Sequence, residues 1–236
     1  VIHYIQHIAV LIPARNEEKL LPRCLLSVLQ ARARLPADVT CDIIVAVDRS
    51  ADRTFQIAES TISDFGAVAK IDEGIVGAAR AFAAGLALMR YRGLAENCWL
   101  ANTDADCAVP DDWLIDQLLI ARGGTHAIAG TVDVDNFLEH HLGVERRFRD
   151  SYKTYSDGTH PHVHGANIGI RADTYLEAGG WASLTTAEDH DLWNRLSKAC
   201  RKMSIASLRV VTSGRRVGRA PHGFAQALAA HNEVSV

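Results

Sequence analysis

A repeat of short apolar runs, each followed by a stretch with helical patterning, most constrains what this chain can fold into. Residues 8–12, Ile-Ala-Val-Leu-Ile, and 43–47, Ile-Ile-Val-Ala-Val, are continuous rather than alternating apolar runs. That is the pattern of strands covered on both faces. Further short strands are expected at 67–71, 98–101 and 127–134. Between the first two, Leu20, Leu21, Cys24, Leu25, Val28 and Leu29 recur at helical spacing after Asn16-Glu17-Glu18, whose acids suit a helix start. Pro22 is awkward there unless it lies in the first turn. Helices are also expected over 50–63, 78–91 and 110–122, the last opened by Pro110-Asp111-Asp112. The alternation predicts an α/β fold: a doubly wound, mostly parallel sheet with helices on both faces and right-handed crossovers. Ligands of such sheets sit beyond the carboxyl ends of the strands. Arg15, Asp48 and Asp104 all fall at those ends.

After residue 135 the pattern is less regular. A helix is expected at 138–153, a loop at 154–164, a strand at 167–171 and a short helix at 173–178 ended by Gly179-Gly180. Residues 187–200 read as a helix, 208–212 as a last strand and 223–230 as a closing helix. No repeat or linker divides the chain, so a single domain over 1–236 is the simplest organisation. With 48% hydrophobic residues the 236-residue chain has material for one large core. A net charge of −3 gives no electrostatic footprint for nucleic acid. The five cysteines are scattered with no C-x-x-C pair, which suits reduced thiols in the cytoplasm. No apolar run approaches the roughly 18 residues of a membrane span, and the amino terminus lacks a signal-peptide pattern. A cytoplasmic protein is expected, soluble or peripheral to a membrane.

The residues that carry chemistry begin with Asn102-Thr103-Asp104-Ala105-Asp106. On a strand, residues i and i+2 point the same way, so both carboxylates can reach one point. A hard divalent ion satisfies that arrangement, whereas a helix cap before Pro110 is the plainer use of the same residues. A second cluster, Glu188-Asp189-His190-Asp191, opens a helix, where one or two acids would serve the dipole alone. One carboxylate pair for a metal and a separate carboxylate for proton transfer is a sensible division of labour, because a base must be free to accept a proton. Arg80 suits a nucleotide contact or a surface pair. His160, His162 and His164 alternate, but lie in a loop with no partner ligands at zinc spacing, so a mobile loop is the plainer expectation. His222 suits a metal ligand or a surface loop, and Trp181 a core residue or the border of a sugar site. There is no phosphate loop, no G-x-G-x-x-G after the first strand and no G-x-S-x-G elbow.

Seven fragments in order carry a resemblance. They are Val-Leu-Ile-Pro-Ala-Arg-Asn-Glu-Glu (10–18), Val-Ala-Val-Asp-Arg-Ser-Ala-Asp-Arg-Thr (45–54), Gly-Ala-Ala-Arg (77–80) and Asn-Thr-Asp-Ala-Asp (102–106). His-Gly-Ala-Asn (164–167), Gly-Gly-Trp (179–181) and Glu-Asp-His-Asp-Leu (188–192) complete the set. Together the chain resembles the family 2 inverting glycosyltransferases, nucleotide-diphospho-sugar transferases of GT-A fold. The resemblance implies a nucleotide-sugar-binding half over about residues 1–107 and an acceptor-side half over about 108–236. It places Pro13, Ala14, Arg15, Glu17, Asp48, Arg80, Asn102 and Asp104 along the donor, and Mn2+ or Mg2+ on Asp104 and Asp106, with His222 as a further ligand. Asp189 is the implied general base, with Glu188 orienting base or acceptor and Asn167 and Trp181 on the acceptor side. The donor would be a nucleoside-diphosphate sugar, a UDP-sugar by preference with GDP- and dTDP-sugars open, and the acceptor a hydroxyl. A sugar nucleotidyltransferase is the competing enzyme reading, disfavoured because Pro13-Ala14-Arg15 lacks the glycines of a triphosphate loop. A non-catalytic module of the same fold is disfavoured because every acidic position is present.

Overall fold

The computed structural model describes residues 4–221 and 223–233. The chain runs β1 (His7–Ala14), α1 (Leu21–Ala33), β2 (Thr40–Asp48), α2 (Thr54–Ile62), β3 (Gly66–Ile71), α3 (Val76–Arg90), β4 (Cys98–Asn102), α4 (Trp113–Arg122) and β5 (Ala127–Val134). It continues with α5 (Val144–Ser151), β6 (Ile168–Arg171), α6 (Ala172–Glu177), α7 (Glu188–Arg195), β7 (Lys202–Thr212) and α8 (Phe224–Ala230). The strands form one seven-stranded sheet in the order β3-β2-β1-β4-β6-β5-β7. β6 runs antiparallel to β4 and β5, and the other pairings are parallel. The expected mostly parallel, doubly wound sheet is what the chain forms. After β3 the chain crosses back to the far side of β1, so β1 and β4 flank the topological switch point. That is where a crevice opens beyond the carboxyl ends of the strands.

Successive side chains of β1 feed opposite layers. Ile8, Val10 and Ile12 pack with Leu21, Leu25 and Val28 of α1 on one face. Ala9 and Leu11 meet Ala83, Ala84 and Ala87 of α3 on the other, joined by Leu192 and Trp181. The two faces explain why the strand reads as an unbroken apolar run.

Several boundaries differ from the sequence reading for identifiable reasons. The first helix begins at Leu21 and not at Asn16, and Pro22 lies in its first turn, where its missing N–H costs nothing. Asn16, in the left-handed region at φ 51°, belongs to a polar clasp. Its Oδ1 accepts from Ala51 N at 2.8 Å, Glu17 N donates to Thr54 Oγ1 at 2.7 Å, and Glu18 N to Asp52 Oδ2 at 3.1 Å. These bonds tie the exit of β1 to that of β2. α7 stops at Arg195, and α5 covers only the second half of its expected span. β7 starts six residues before the apolar stretch at Leu208, because its first half is an edge with exposed Lys202 and Met203 and a register shift opposite Gly130/Thr131. Among the described residues no helix is long and apolar enough to cross a membrane.

Candidate active site

A cavity of about 490 Å3 opens at the carboxyl edge of the sheet. Its floor is the exit of three neighbouring parallel strands: Pro13, Ala14, Arg15 and Glu17 after β1, Asp48 at the end of β2, and Asp104 and Asp106 after β4. Arg80 from the first turns of α3 and Glu188, Asp189 and His190 from α7 form one wall, and Arg215 and Arg219, after β7, another. Asp48 is fixed by backbone: its Oδ1 accepts from Glu73 N at 2.9 Å and Gly74 N at 3.0 Å.

The acids in this cavity are paired to arginines in a definite pattern. Arg80, buried, donates from Nη2 to Asp104 Oδ1 at 2.6 Å and from Nε to Glu188 Oε1 at 3.1 Å. Its guanidinium lies 5.3 Å from the ring centre of Trp181. Burial works against its charge, and Asp104, Glu188 and Asp189 more than offset that. Burial likewise raises the Glu188 carboxyl, with Arg80 pulling it back. Arg215 reaches both oxygens of Glu17 from Nη1, at 2.7 and 3.0 Å, and Asp106 Oδ2 from Nη2 at 2.8 Å. Burial raises the carboxyls of Glu17 and Asp106, against the pull of Arg215.

Asp189 is treated differently. Its Oδ2 accepts from Gly165 N at 2.8 Å and its Oδ1 from His190 N at 2.8 Å, and among the described residues it joins no salt bridge. The preceding Ala187 adopts φ 57°, which starts α7 abruptly at the cavity rim. Gly165 is required for space, because a Cβ there would lie 2.5 Å from Arg80 Nη2. The turn can therefore close over the arginine and still present its N–H to Asp189.

Of the expected site residues, Pro13, Ala14, Arg15, Glu17, Asp48, Arg80, Asp104, Asp106, Glu188 and Asp189 line one cavity. Asn102, Asn167 and Trp181 do not face it. Asn102 is buried between β4 and β6, its Nδ2 donating to Ile168 O at 3.2 Å. Asn167 is fully enclosed, accepting from Trp113 Nε1 at 2.9 Å and donating to Thr131 O and Leu208 O, both at 2.9 Å. A side chain with all its bonds made inside the core has none for an acceptor. Trp181 is 5% exposed and backs Arg80. His222 lies outside the described residues.

The 154–164 loop is also unlike its expectation, for its rings pack together. Tyr152 stacks on His162 at 3.9 Å, Tyr152 Oη bonds His164 Nε2 at 2.9 Å, and His160 Nε2 bonds Ala129 O at 3.0 Å. Arg215 and Arg219 escaped the sequence reading. The available signal was three arginines in five residues (215, 216 and 219) directly after a strand ending at the same edge as β1 and β4.

Residues 9–177 match the sequence model of the family described as Glycosyl transferase family 2. The chain belongs to that family. Among solved structures, TarS residues 1–349 from S. aureus, in complex with UDP-GlcNAc, is similar with a TM-score of 0.66 and 15% identity, covering 92% of this chain and 61% of that one. The mannosyltransferase PcManGT from Pyrobaculum calidifontis, in complex with GDP-Man and Mn2+, gives 0.63 and 19%, covering 98% and 71%. The chain thus spans about three fifths of the TarS chain. No curated protein matches. At these identities the likeness is one of fold, and the shared fold is GT-A.

Family 2 membership raises the question of a divalent ion, and the donor atoms answer it. Ligand atoms of Asp104, Asp106 and Cys107 lie within 4.8 Å of one another. The two carboxylates suit Mn2+ or Mg2+, which take oxygen ligands and retain positions for water and phosphate. The Cys107 sulfur is a soft donor and matches a hard ion less well than the two carboxylates. Asp104 and Asp106 each keep one oxygen that no arginine takes. The site fits a hard divalent cation held by two aspartates and the ligand it serves.

Proposed function

We propose that this chain transfers a sugar from a nucleoside-diphosphate sugar to an acceptor hydroxyl, with inversion at the anomeric carbon. The observation that carries the reading is the gathering of two distinct carboxylate sets in one cavity at the switch point. Asp104 and Asp106 form salt bridges with Arg80 and Arg215, whereas Asp189 has backbone partners, joins no salt bridge among the described residues and feels Arg80 only through space. Two carboxylates that converge, each with an oxygen no arginine takes, suit a divalent cation, and a third carboxylate set apart from them on α7 stays clear of that cation and can take a proton.

The nucleoside would lie along Pro13, Ala14, Arg15 and Glu17, with Asp48 near the base and Arg80 near the phosphates. Mn2+ or Mg2+ would be held by Asp104 and Asp106, and when bound supplies charge neutralisation for the departing diphosphate. Asp189 takes the acceptor hydroxyl proton as its oxygen attacks from the face opposite the leaving group. Glu188 acts through Arg80, whose guanidinium it shares with Asp104, so the donor side and the base side are braced by one buried cation. A single displacement needs no protein nucleophile. The acceptor would bind on the side of the cavity lined by α7 and residues 163–166, in the half of the chain after residue 107. A UDP-sugar donor is our first choice, and a GDP-sugar the second; the complexes of TarS with UDP-GlcNAc and of PcManGT with GDP-Man support both. We assign the reaction to the cytoplasm, in keeping with five cysteines that are all free thiols.

Calorimetry of UDP and GDP binding with and without Mn2+, on the wild type and Asp106→Ala, tests the metal assignment. Metal-dependent binding should vanish in the variant, and its persistence would remove the metal from Asp106. The anomeric configuration of the product, read by NMR, tests the displacement. A product that retains the donor's configuration would exclude Asp189 as base of a single-step transfer.

A further inference from the structure

Among the described residues the guanidinium of Arg215 is held by acids alone, and one of them is Asp106. Its fork spans Glu17 and Asp106, both largely buried, while its own side chain is 17% exposed. A guanidinium therefore already serves as counter-ion on one of the two carboxylates proposed to take the metal. Arg80 does the same at Asp104, but the two arginines differ in how they are held. Arg80 is 3% exposed, backed by Trp181 and roofed by Gly165. Arg215 stands on the segment after β7, next to exposed Arg216 and Val217. That segment is moored to the site by the fork itself and by Arg219, whose Nη2 donates to Asn16 O at 2.9 Å. Arg80 is built into a helix, whereas Arg215 projects from a loop whose backbone is pinned by Gly214 N to Asp135 Oδ1 at 2.9 Å and Arg216 N to Glu139 Oε2 at 2.8 Å, so a change of partner is a turn of its side chain within the cavity.

A dication and a guanidinium on one carboxylate repel each other. A diphosphate, by contrast, accepts both, and a planar guanidinium matches its oxygens in bidentate fashion. We propose that Arg215 is a placeholder cation: it occupies Asp106 against free metal, and passes to the diphosphate when metal and donor bind together. This rests on the transferase reading above. It makes Arg215 a donor ligand and gives the site an order, in which metal alone binds weakly and nucleotide strengthens it. Linkage requires that the metal strengthen nucleotide binding by the same factor. The move also releases Glu17 from Arg215, leaving Arg219 as the cation near it.

The test is calorimetric titration of MnCl2 alone, and of UDP and GDP with and without Mn2+, on wild type, Arg215→Ala, Arg215→Lys and Arg216→Ala. Arg215→Ala should bind Mn2+ alone roughly tenfold tighter, the scale of a removed charge competitor, and the factor by which Mn2+ strengthens nucleotide binding should drop by at least about tenfold. Arg215→Lys keeps the charge without the fork and should retain weak binding of Mn2+ alone but lose part of the coupling. Arg216 is exposed, lies outside the cavity and bonds Glu139 through its backbone N–H, so Arg216→Ala removes a neighbouring charge without touching Asp106 and should bind Mn2+ alone as the wild type does. Unchanged Mn2+ affinity or unchanged coupling in Arg215→Ala overturns the proposal, as does equal tightening in Arg216→Ala, which would signal a general field effect. If Arg215→Ala fails to fold by circular dichroism, Arg215→Lys decides through the coupling factor. Wild type that binds neither nucleotide with Mn2+ would sink the transferase reading and this inference together. Wild type that binds while Arg215→Ala matches it sinks only the role of Arg215.

Discussion

Arg80 joins two acids from distant parts of the chain, Asp104 after β4 and Glu188 in α7, through one buried guanidinium. Removing one member of a buried ion network leaves uncompensated charge, so Arg80→Ala should lower stability by about 3–5 kcal/mol in urea unfolding. Arg80→Lys recovers little of it, because an ammonium cannot span both acids as the fork does. Gly165→Ala probes the same brace from outside, since its Cβ would lie 2.5 Å from Arg80 Nη2. We expect a lowered melting temperature and weakened nucleotide binding together. Asp189→Asn removes the proposed proton acceptor while its amide oxygen can still accept from Gly165 N. Turnover should fall by at least about 10²-fold, the low end for a general base, with donor affinity near wild type. Turnover at the wild-type rate would take Asp189 out of the mechanism.

The element that changed most between expectation and structure is the histidine loop. Burial lowers the pKa of His160, His162 and His164, the last to about 4. The unfolded chain takes up a proton at His164 near pH 6.5, whereas the folded chain refuses it until about pH 4. The contribution of His164 is therefore complete above about pH 6.5 and is lost as pH falls through that window. Urea midpoints measured from pH 7.5 to 4.5 should fall with pH, and the slope should be shallower in His164→Gln. Strand β6 and helix α4 make a different point. Asn167 and Trp113 lock the end of β6 to α4 through a 2.9 Å bond, with Thr131 O and Leu208 O completing the set. Asn167→Ala strands three buried groups at about 1–3 kcal/mol apiece, and should destabilise the fold more than it affects nucleotide affinity per folded molecule.

At the scale of the whole molecule, the donor and metal should act as structural ligands, because the cavity joins β1, β2, β4, α3, α7 and the segment after β7. At 100 times its Kd, a nucleotide bound with Mn2+ stabilises the native state by about 2.7 kcal/mol, a rise in melting temperature of roughly 5–10 °C for a chain of this size. A thermal-shift comparison of UDP-, GDP- and dTDP-sugars with and without Mn2+ should reveal the donor nucleotide, and no shift with any of them would count against nucleotide binding at this cavity. The sequence by itself determined the alternation of buried strands and helices, since a strand covered on both faces must be apolar throughout. It also determined the acids at the strand ends, since polar residues that interrupt such runs lie at the sheet edge. Asn102, Asn167 and Trp181 were legible as polar or aromatic residues near motifs, but whether they faced a ligand or the core depended on β6 inserting antiparallel beside β4. Only the tertiary structure decided the partners. Which arginine neutralises Asp104, which bridges Glu17 to Asp106, and that Asp189 is held by backbone N–H groups all depend on side chains brought together from as far as 198 residues apart. Such pairings leave no periodicity in the chain, because charge complementarity acts through space and not along the sequence.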